Sequence, residues 1–333
     1  MKIIEGERID PVLWSELVKQ SPWSTWFQTR EAYAFFEDLS FLEAFAIAVE
    51  SDGQLKGLVT GYIQKDGGKI KQFFSRRAII VGGPLLSDGI TDEELSFLLS
   101  SLIKKLQRKA IFIETRNFND YSRWHSVFEQ SRFDYEPHYD VQVDTSSLEL
   151  VNSKLDRNRR RNIKKAMENG VVIDEKPSPE DLKQLYSMLE ELYTTKVKTP
   201  LFPFEFFEKL SKIPSSRFFL AKNAEGQLLG GLICVELEHR AVYAWLACGD
   251  DYNYKSLSPS VMVNYAGVSY AAREEIPRFD FMGAGKPDDG GYGVRDFKLK
   301  FGGELVEYGR NVYVCNHLLF CIGKLGVKIF KKL

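Results

Sequence analysis

Cysteine is scarce in this chain of 333 residues, and the four present (Cys234, Cys248, Cys315, Cys321) form no CxxC pair and no finger-like spacing. That excludes a disulfide framework and a thiolate zinc site, and it predicts reduced, buried thiols in a cytoplasmic protein. Histidine is equally scarce. His125, His138, His239 and His317 stand alone, without HExxH or paired Cys/His spacing, so no metal site is expected. No run of about 18 apolar residues occurs, so no membrane span is expected. The start, MKIIEGERIDPVLW, is charged and lacks the apolar core of a secretion signal. An excess of one charge is missing too. With 45 basic and 46 acidic residues, any attraction for nucleic acid or anionic membrane must come from a local patch.

A coherent cofactor loop is also lacking. Gly285-Lys286 resembles the end of a phosphate loop, but the required first glycine is Asp280 and the required Ser/Thr is Pro287. The dinucleotide pattern fails because its last glycine position holds Asp288. Gly267-Val-Ser269-Tyr-Ala271 lacks the final glycine of a nucleophile elbow and lies inside a predicted helix. No cofactor is therefore expected.

What is present is an internal repeat. Ala48 to Ile63 (AVESDGQLKGLVTGYI) and Ala221 to Glu236 (AKNAEGQLLGGLICVE) each place an acidic residue and Gly-Gln-Leu between apolar runs. Glycine tolerates positive φ, so each copy reads as a β-hairpin turning at Gly53 or Gly226. A helix and a buried strand follow each hairpin. The first helix is Thr91 to Lys109, with Thr91 as N-cap and Glu94 three residues on, before the strand Ala110 to Glu114. The second is Ser258 to Glu274, with Ser258 as N-cap and Pro259 at its first position, before the strand Arg278 to Met282. The fold class is α/β (α+β), with two similar domains at residues 1–147 and 148–333.

Three segments can carry chemistry. The helix Leu155 to Asn169 concentrates basic residues, and its apolar stripe (Leu155, Ile163, Ala166, Met167) is interrupted by Asn158, Arg159 and Asn162. Arginine forks suit phosphate or carboxylate, so this is an anion site or else a solvated basic face. The second segment runs from Phe279 through a loop dense in glycine and charge to Tyr308. Its stretch Arg295 to Gly303 reads as a strand, with Phe297, Leu299 and Phe301 on one side and Lys298 and Lys300 on the other. It is a ligand loop at a strand's carboxyl end or an ordinary half-buried strand. The third is the tail Asn316 to Leu333, apolar with Lys324, Lys328, Lys331 and Lys332 and no acid. It fits a helix packed on the domain, or one reaching the inner membrane surface.

Taken together, Asn158-Arg-Arg-Arg-Asn-Ile-Lys-Lys-Ala166, Tyr254-Lys-Ser-Leu-Ser-Pro259, Phe279-Asp-Phe281 and Tyr292-Gly-Val-Arg-Asp-Phe-Lys-Leu-Lys-Phe-Gly-Gly303 resemble the Fem-type aminoacyltransferases. The resemblance implies two tandem domains of the GNAT N-acetyltransferase fold. It implies transfer of an amino acid from aminoacyl-tRNA to an amine of a peptidoglycan precursor or other envelope amine. It also implies that Lys298 lies at the reaction centre, with Phe297 stacking on a terminal adenine. Arg295, Tyr292, Asp280, Lys286, Arg159, Arg161, Asn162 and Lys198 complete the expected substrate-binding set. The sequence departs from the family near Gln28, where Phe35-Phe36-Glu37 lacks the lysine that follows an aromatic in members using nucleotide-linked precursors. An acyl-CoA-dependent N-acyltransferase of an envelope sugar or amine is the alternative, although Asn253 to Ser260 has no glycine to wrap a diphosphate. A non-catalytic binding module on a transferase fold is the other.

Overall fold

The structure, a computed structural model, describes residues 1–65, 75–290 and 293–330, with side chains up to Lys324. Tyr292, Lys331 and Lys332 lie outside the described residues, as does the side chain of Lys328. Among the described residues the chain divides into two compact units, residues 1–138 with 308–333, and Tyr139–Glu307.

The first unit holds the sheet β1 (Lys2–Glu5), β2 (Leu42–Ser51), β3 (Gln54–Gln64), β4 (Arg77–Gly82), β6 (Phe112–Asn117), β15 (Arg310–Val314) and β7 (Asp134–Glu136), in that spatial order, with β5 (Leu85–Leu86) on β3. The second holds β14 (Glu304–Glu307), β8 (Tyr139–Asp144), β13 (Arg278–Gly283), β12 (Ala241–Gly249), β11 (Leu228–Leu237), β10 (Ser216–Lys222) and β9 (Val172–Asp174). The even split expected at residue 147 differs from this arrangement. β8 pairs with β13 and β14 of the second sheet, whereas β15 returns to the first and bonds β6 and β7. Main-chain pairing outweighs position along the chain.

Among the described residues the α-helices include α1 (Pro11–Gln20), α2 (Arg30–Asp38), α3 (Asp92–Leu106), α4 (His125–Gln130), α5 (Leu148–Lys154), α6 (Arg157–Glu168), α7 (Pro179–Leu192), α8 (Phe204–Leu210), α9 (Pro259–Arg273), α10 (Gly293–Leu299) and α11 (His317–Phe330). The expected repeat is present as hairpin β2–β3, strand β4, helix α3 and parallel strand β6, and again as β10–β11, β12, α9 and β13. The two turns differ in length. Asp52 and Gly53 make a two-residue turn with φ of 52° and 73°, the left-handed pair that matches strand twist. Gly226, at φ 81°, sits in the longer turn 223–227, where Asn223 Oδ1 accepts from Gln227 N at 2.8 Å.

α3 begins in the predicted capping box, with Glu94 N donating to Thr91 Oγ1 at 3.2 Å and Thr91 N donating to Glu94 Oε2 at 2.9 Å. It buries Leu95, Leu98, Leu99, Leu102 and Leu106 against Ile47, Val59, Ile80 and Ile113. Such side chains contribute about 1.5–3 kcal/mol each through burial. α9 is largely enclosed, burying Val261, Val263, Val268 and Ala271 with Phe219, Leu232 and Phe279. Among the described residues no helix is long and apolar enough to cross a membrane. Cys234 and Cys248 are buried as expected, but Cys315 is only half-buried and Cys321 is exposed.

Candidate active site

The equivalent parallel strand pairs differ between the units. β4 and β6 stay in register from Arg77↔Phe112 to Gly82↔Asn117. β12 and β13 pair only at Val242↔Phe279 and Tyr243↔Asp280. Beyond that point β12 continues along β11, with a register shift that leaves Trp245 as an extra residue, while β13 continues along β8. β13 carries its own shift between Asp280 and Gly283, where Met282 has a φ of 57°. A left-handed non-glycine residue costs roughly 1–2 kcal/mol. The result is a parting of two strands in the second unit, whereas among the described residues of the first unit the corresponding pair stays together.

Lys298 sits at that parting. Its Nζ donates to Phe281 O and Gly283 O, each at 2.8 Å, and lies 3.5 Å from Met282 O. The expected strand over Arg295 to Gly303 is a helix instead, α10, over Gly293–Leu299. The Phe297/Leu299/Phe301 alternation is equally compatible with a helical contact at i, i+4, and Phe297 and Phe301 do meet, with centroids 5.4 Å apart. The helix also brings Arg295 and Lys298, one turn apart, to the same segment. Arg295 donates to Ala284 O at 2.9 Å and Lys286 O at 2.5 Å, and its guanidinium lies 4.8 Å from the Tyr139 ring centre. α10 thus grips the end of β13 and the following loop through main-chain carbonyls.

Two carboxylates border the lysine. Asp280, fully buried on β13, accepts from Gln142 Nε2 at 2.8 Å and from Met282 N at 2.7 Å. Asp140, on β8, is also buried. Burial pushes the Lys298 ammonium down to about 8, against the opposing pull of Asp140 and Asp280. Burial likewise holds the Asp280 carboxyl above its ordinary value, although Arg278 pulls the other way. Both shifts come from loss of water around charge, which the mutual attraction only partly offsets. A lysine near 8 is poised either to remain an ammonium beside a forming oxyanion or to give up a proton.

An aromatic ladder leads away from the lysine. Phe281 meets Phe301 at 5.3 Å, Phe301 meets Phe297, and Arg159 covers Phe297 with its guanidinium carbon 4.3 Å from the ring centre. Arg159 comes from α6. The helix expected from Leu155 begins two residues later, because Asp156 caps it through bonds from Asn158 N and Arg159 N. Leu155, Ile163 and Ala166 of the expected stripe are buried, but Met167 is exposed. Arg159 is half-buried, and its Nε–H has no hydrogen-bond partner among the described residues. Burial lowers its pKa. One face of Phe297 is therefore occupied by the guanidinium.

Lys298, Arg295, Asp280, Phe297 and Arg159 are thus drawn together. Lys286 joins through its carbonyl, and its side chain is exposed. Arg161 is exposed and Asn162 half-buried, further round α6. Lys198 stands apart, in left-handed conformation after the π-helical turn Tyr193–Val197. Sequence reasoning missed Asp140, Gln142 and Asp251. The first two had a signal, because Tyr139–Asp144 alternates Asp140, Gln142 and Asp144 with buried Val141 and Val143. Asp251 replaces Ser258 as the side-chain cap of α9. Ser258 has a φ of 47° and its side chain makes no cap bond, while Ser260 N donates to Asp251 Oδ1 at 3.2 Å.

Residues 153–298 match the acetyltransferase (GNAT) domain family. A search of curated proteins finds no match. Among solved structures, FemX is similar over 97% of this chain and 99% of its own, at 16% identity and a TM-score of 0.72. The C-terminal domain of a putative lysylphosphatidylglycerol synthetase from Agrobacterium fabrum is similar over 96% and 95%, at 11% identity and 0.60. A tandem GNAT protein from the clavulanic acid biosynthesis pathway is similar over 95% and 99%, at 10% identity and 0.57. At these identities the likeness is one of fold, and with the repeated hairpin–strand–helix–strand succession it establishes that this chain carries a tandem GNAT fold like that of FemX, the segment that matches acetyltransferase domains lying in the second unit.

Proposed function

We propose that this protein is an aminoacyltransferase, moving an amino acid from aminoacyl-tRNA to an amine of a peptidoglycan precursor or another envelope amine. The observation that carries this reading is the half-buried Lys298 ammonium, held at the end of a strand that parts from its neighbour, beside an aromatic capped by arginine. In the reaction a neutral acceptor amine attacks the ester carbonyl. The new C–N bond places an electron pair on oxygen, and collapse of that oxyanion expels the ribose oxygen. The nitrogen loses one proton and the leaving oxygen gains one. An ammonium fixed beside the oxyanion lowers the barrier without having to be brought there.

The basic helix α6 supports an RNA-borne donor. Arg157, Arg160, Arg161, Lys164 and Lys165 are exposed on it beside half-buried Arg159, with Glu168 its one acid. That is more charge than one diphosphate needs, and each neutralised phosphate steepens the salt dependence of binding. The exposed apolar residues Leu318 and Ile322 on α11 support peripheral contact with the inner membrane. On this reading the protein works in the cytoplasm or at that membrane's inner surface.

The match of residues 153–298 to acetyltransferase domains favours a second reading, an acyl-CoA-dependent N-acyltransferase. Incubating the purified protein and an amine acceptor with radiolabelled aminoacyl-tRNA, and separately with labelled acetyl-CoA, distinguishes the two. Label transferred only from tRNA is the expected result. Transfer only from acetyl-CoA replaces the reading with the second, and transfer from neither leaves a binding module.

A further inference from the structure

Every amide in the first turn of α9 is already used. Pro259 has no N–H, Ser260 N donates to Asp251 Oδ1 at 3.2 Å, and Val261 N and Met262 N both donate to Ser258 O at 3.0 Å. A helix start ordinarily leaves such donors for an anion, and the helix dipole strengthens the attraction. Here a carboxylate of the chain's own occupies the place.

Asp251 is held there by a well-bonded turn. It follows β12, the strand that parts from β13. Asn253 donates its N to Asp250 Oδ1 at 3.0 Å and its Nδ2 to Asp250 Oδ2 at 2.8 Å, and Tyr254 N donates to Asp250 O at 3.1 Å. Gly249 passes so close to α9 that a Cβ there would lie 2.5 Å from Ser260 N. The turn and the helix start are thus packed together, without glycine freedom between residues 250 and 258 to wrap a ligand.

We infer that Asp251 is a donor-selecting residue, closing the start of α9 to acyl donors that carry a diphosphate, such as CoA thioesters. Like-charge repulsion and the absence of a free amide act together. This rests on the reading that the transfer site lies in the second unit, and its test reads binding rather than transfer.

The test titrates full-length wild type, Asp251→Ala and Asp251→Asn with CoA and with inorganic pyrophosphate, by calorimetry and by melting temperature. Asp251→Ala removes the charge and frees the Ser260 amide. Asp251→Asn removes only the charge, keeps an acceptor for that amide, and carries the test if the alanine variant folds poorly. Both variants are expected to bind CoA at least tenfold more tightly than wild type, with pyrophosphate following the same order. Equal CoA binding by wild type and variants, whether tight or undetectable, overturns the inference. A wild type that moves no aminoacyl group from tRNA defeats the proposed function but leaves this titration decisive.

Discussion

The guanidinium of Arg159 lies 4.3 Å from the centre of the Phe297 ring and 5.4 Å from that of Phe301, with its Nε–H buried and unpartnered among the described residues. A half-buried cation held against two rings is aimed, whereas Arg161, in solvent two residues on, is not. Replacing the two should therefore have different effects. Arg161→Ala should reduce the log–log salt slope of charged-tRNA binding by about 1 with little loss of affinity. Arg159→Ala should cost about tenfold in affinity at fixed salt, and Arg159→Lys should not restore it, because lysine keeps the charge but not the planar guanidinium. Filter-binding titrations at several salt concentrations measure both. Equal behaviour of the two alanine variants would show that α6 is only a solvated basic face.

Lys298→Met keeps the bulk and removes the charge, so turnover should fall by about two to three orders of magnitude, as with loss of an oxyanion-hole donor. The pH profile gives a second check. Burial brings Lys298 down to about 8, so the ammonium is lost above that pH and transfer should decline there. A rate that climbs through pH 8 would mean that the free amine is the working form. The stability consequence has a definite sign. Between about 8 and the ordinary 10.5, the unfolded chain binds the proton that the folded one releases, so folding stability gains with rising pH. Denaturant titrations across that window should show this gain in wild type relative to Lys298→Met.

The repeat and the capping box at Thr91 were both legible in the sequence, because each rests on local chemistry. Turns need glycine, and helix starts need an acceptor. The conformation of Arg295 to Gly303 was not, since a short apolar alternation fits both periods and the decision came from carbonyls at residues 281–286. The role of Asp251 was hidden for a similar reason. Its partner Ser260 is nine residues on, beyond the spacing at which caps are sought. The return of β15 to the first sheet is a non-local pairing, which no local pattern encodes.

Two glycines separate backbone strain from misplacement of the site. Gly53 has φ 73° with open space around its missing Cβ, and Gly302 has φ 83° with a Cβ position 2.8 Å from Lys154 O. Gly53→Ala should cost only the left-handed penalty, roughly 1–2 kcal/mol, with transfer unchanged. Gly302→Ala should cost more and should also slow transfer, because it ends the segment that carries Phe297 and Lys298. Chemical denaturation and turnover on the same two variants test the pair. Equal losses in both would separate α10 from the chemistry.

Phe320 packs on Phe112 with centroids 5.3 Å apart, and Lys324 lies 3.7 Å from Glu136, which fixes one side of α11 to the first unit. Leu318 is 71% and Ile322 45% exposed, one turn apart on the side left to solvent. The sequence from His317 onward holds four lysines and no acid. Each lysine near an anionic surface contributes about 1 kcal/mol, and the apolar pair adds burial in the headgroup region. The protein should therefore sediment with phosphatidylglycerol vesicles at low salt and not with phosphatidylcholine vesicles. Leu318→Asp with Ile322→Asp should reduce that binding at least tenfold, and added salt should reduce it further, since the lysine contribution is screened. Transfer to a water-soluble amine should be unaffected in the same variant, because neither residue touches the Lys298 group. If the double variant and wild type partition equally onto anionic vesicles, α11 is simply a packed helix with a basic end.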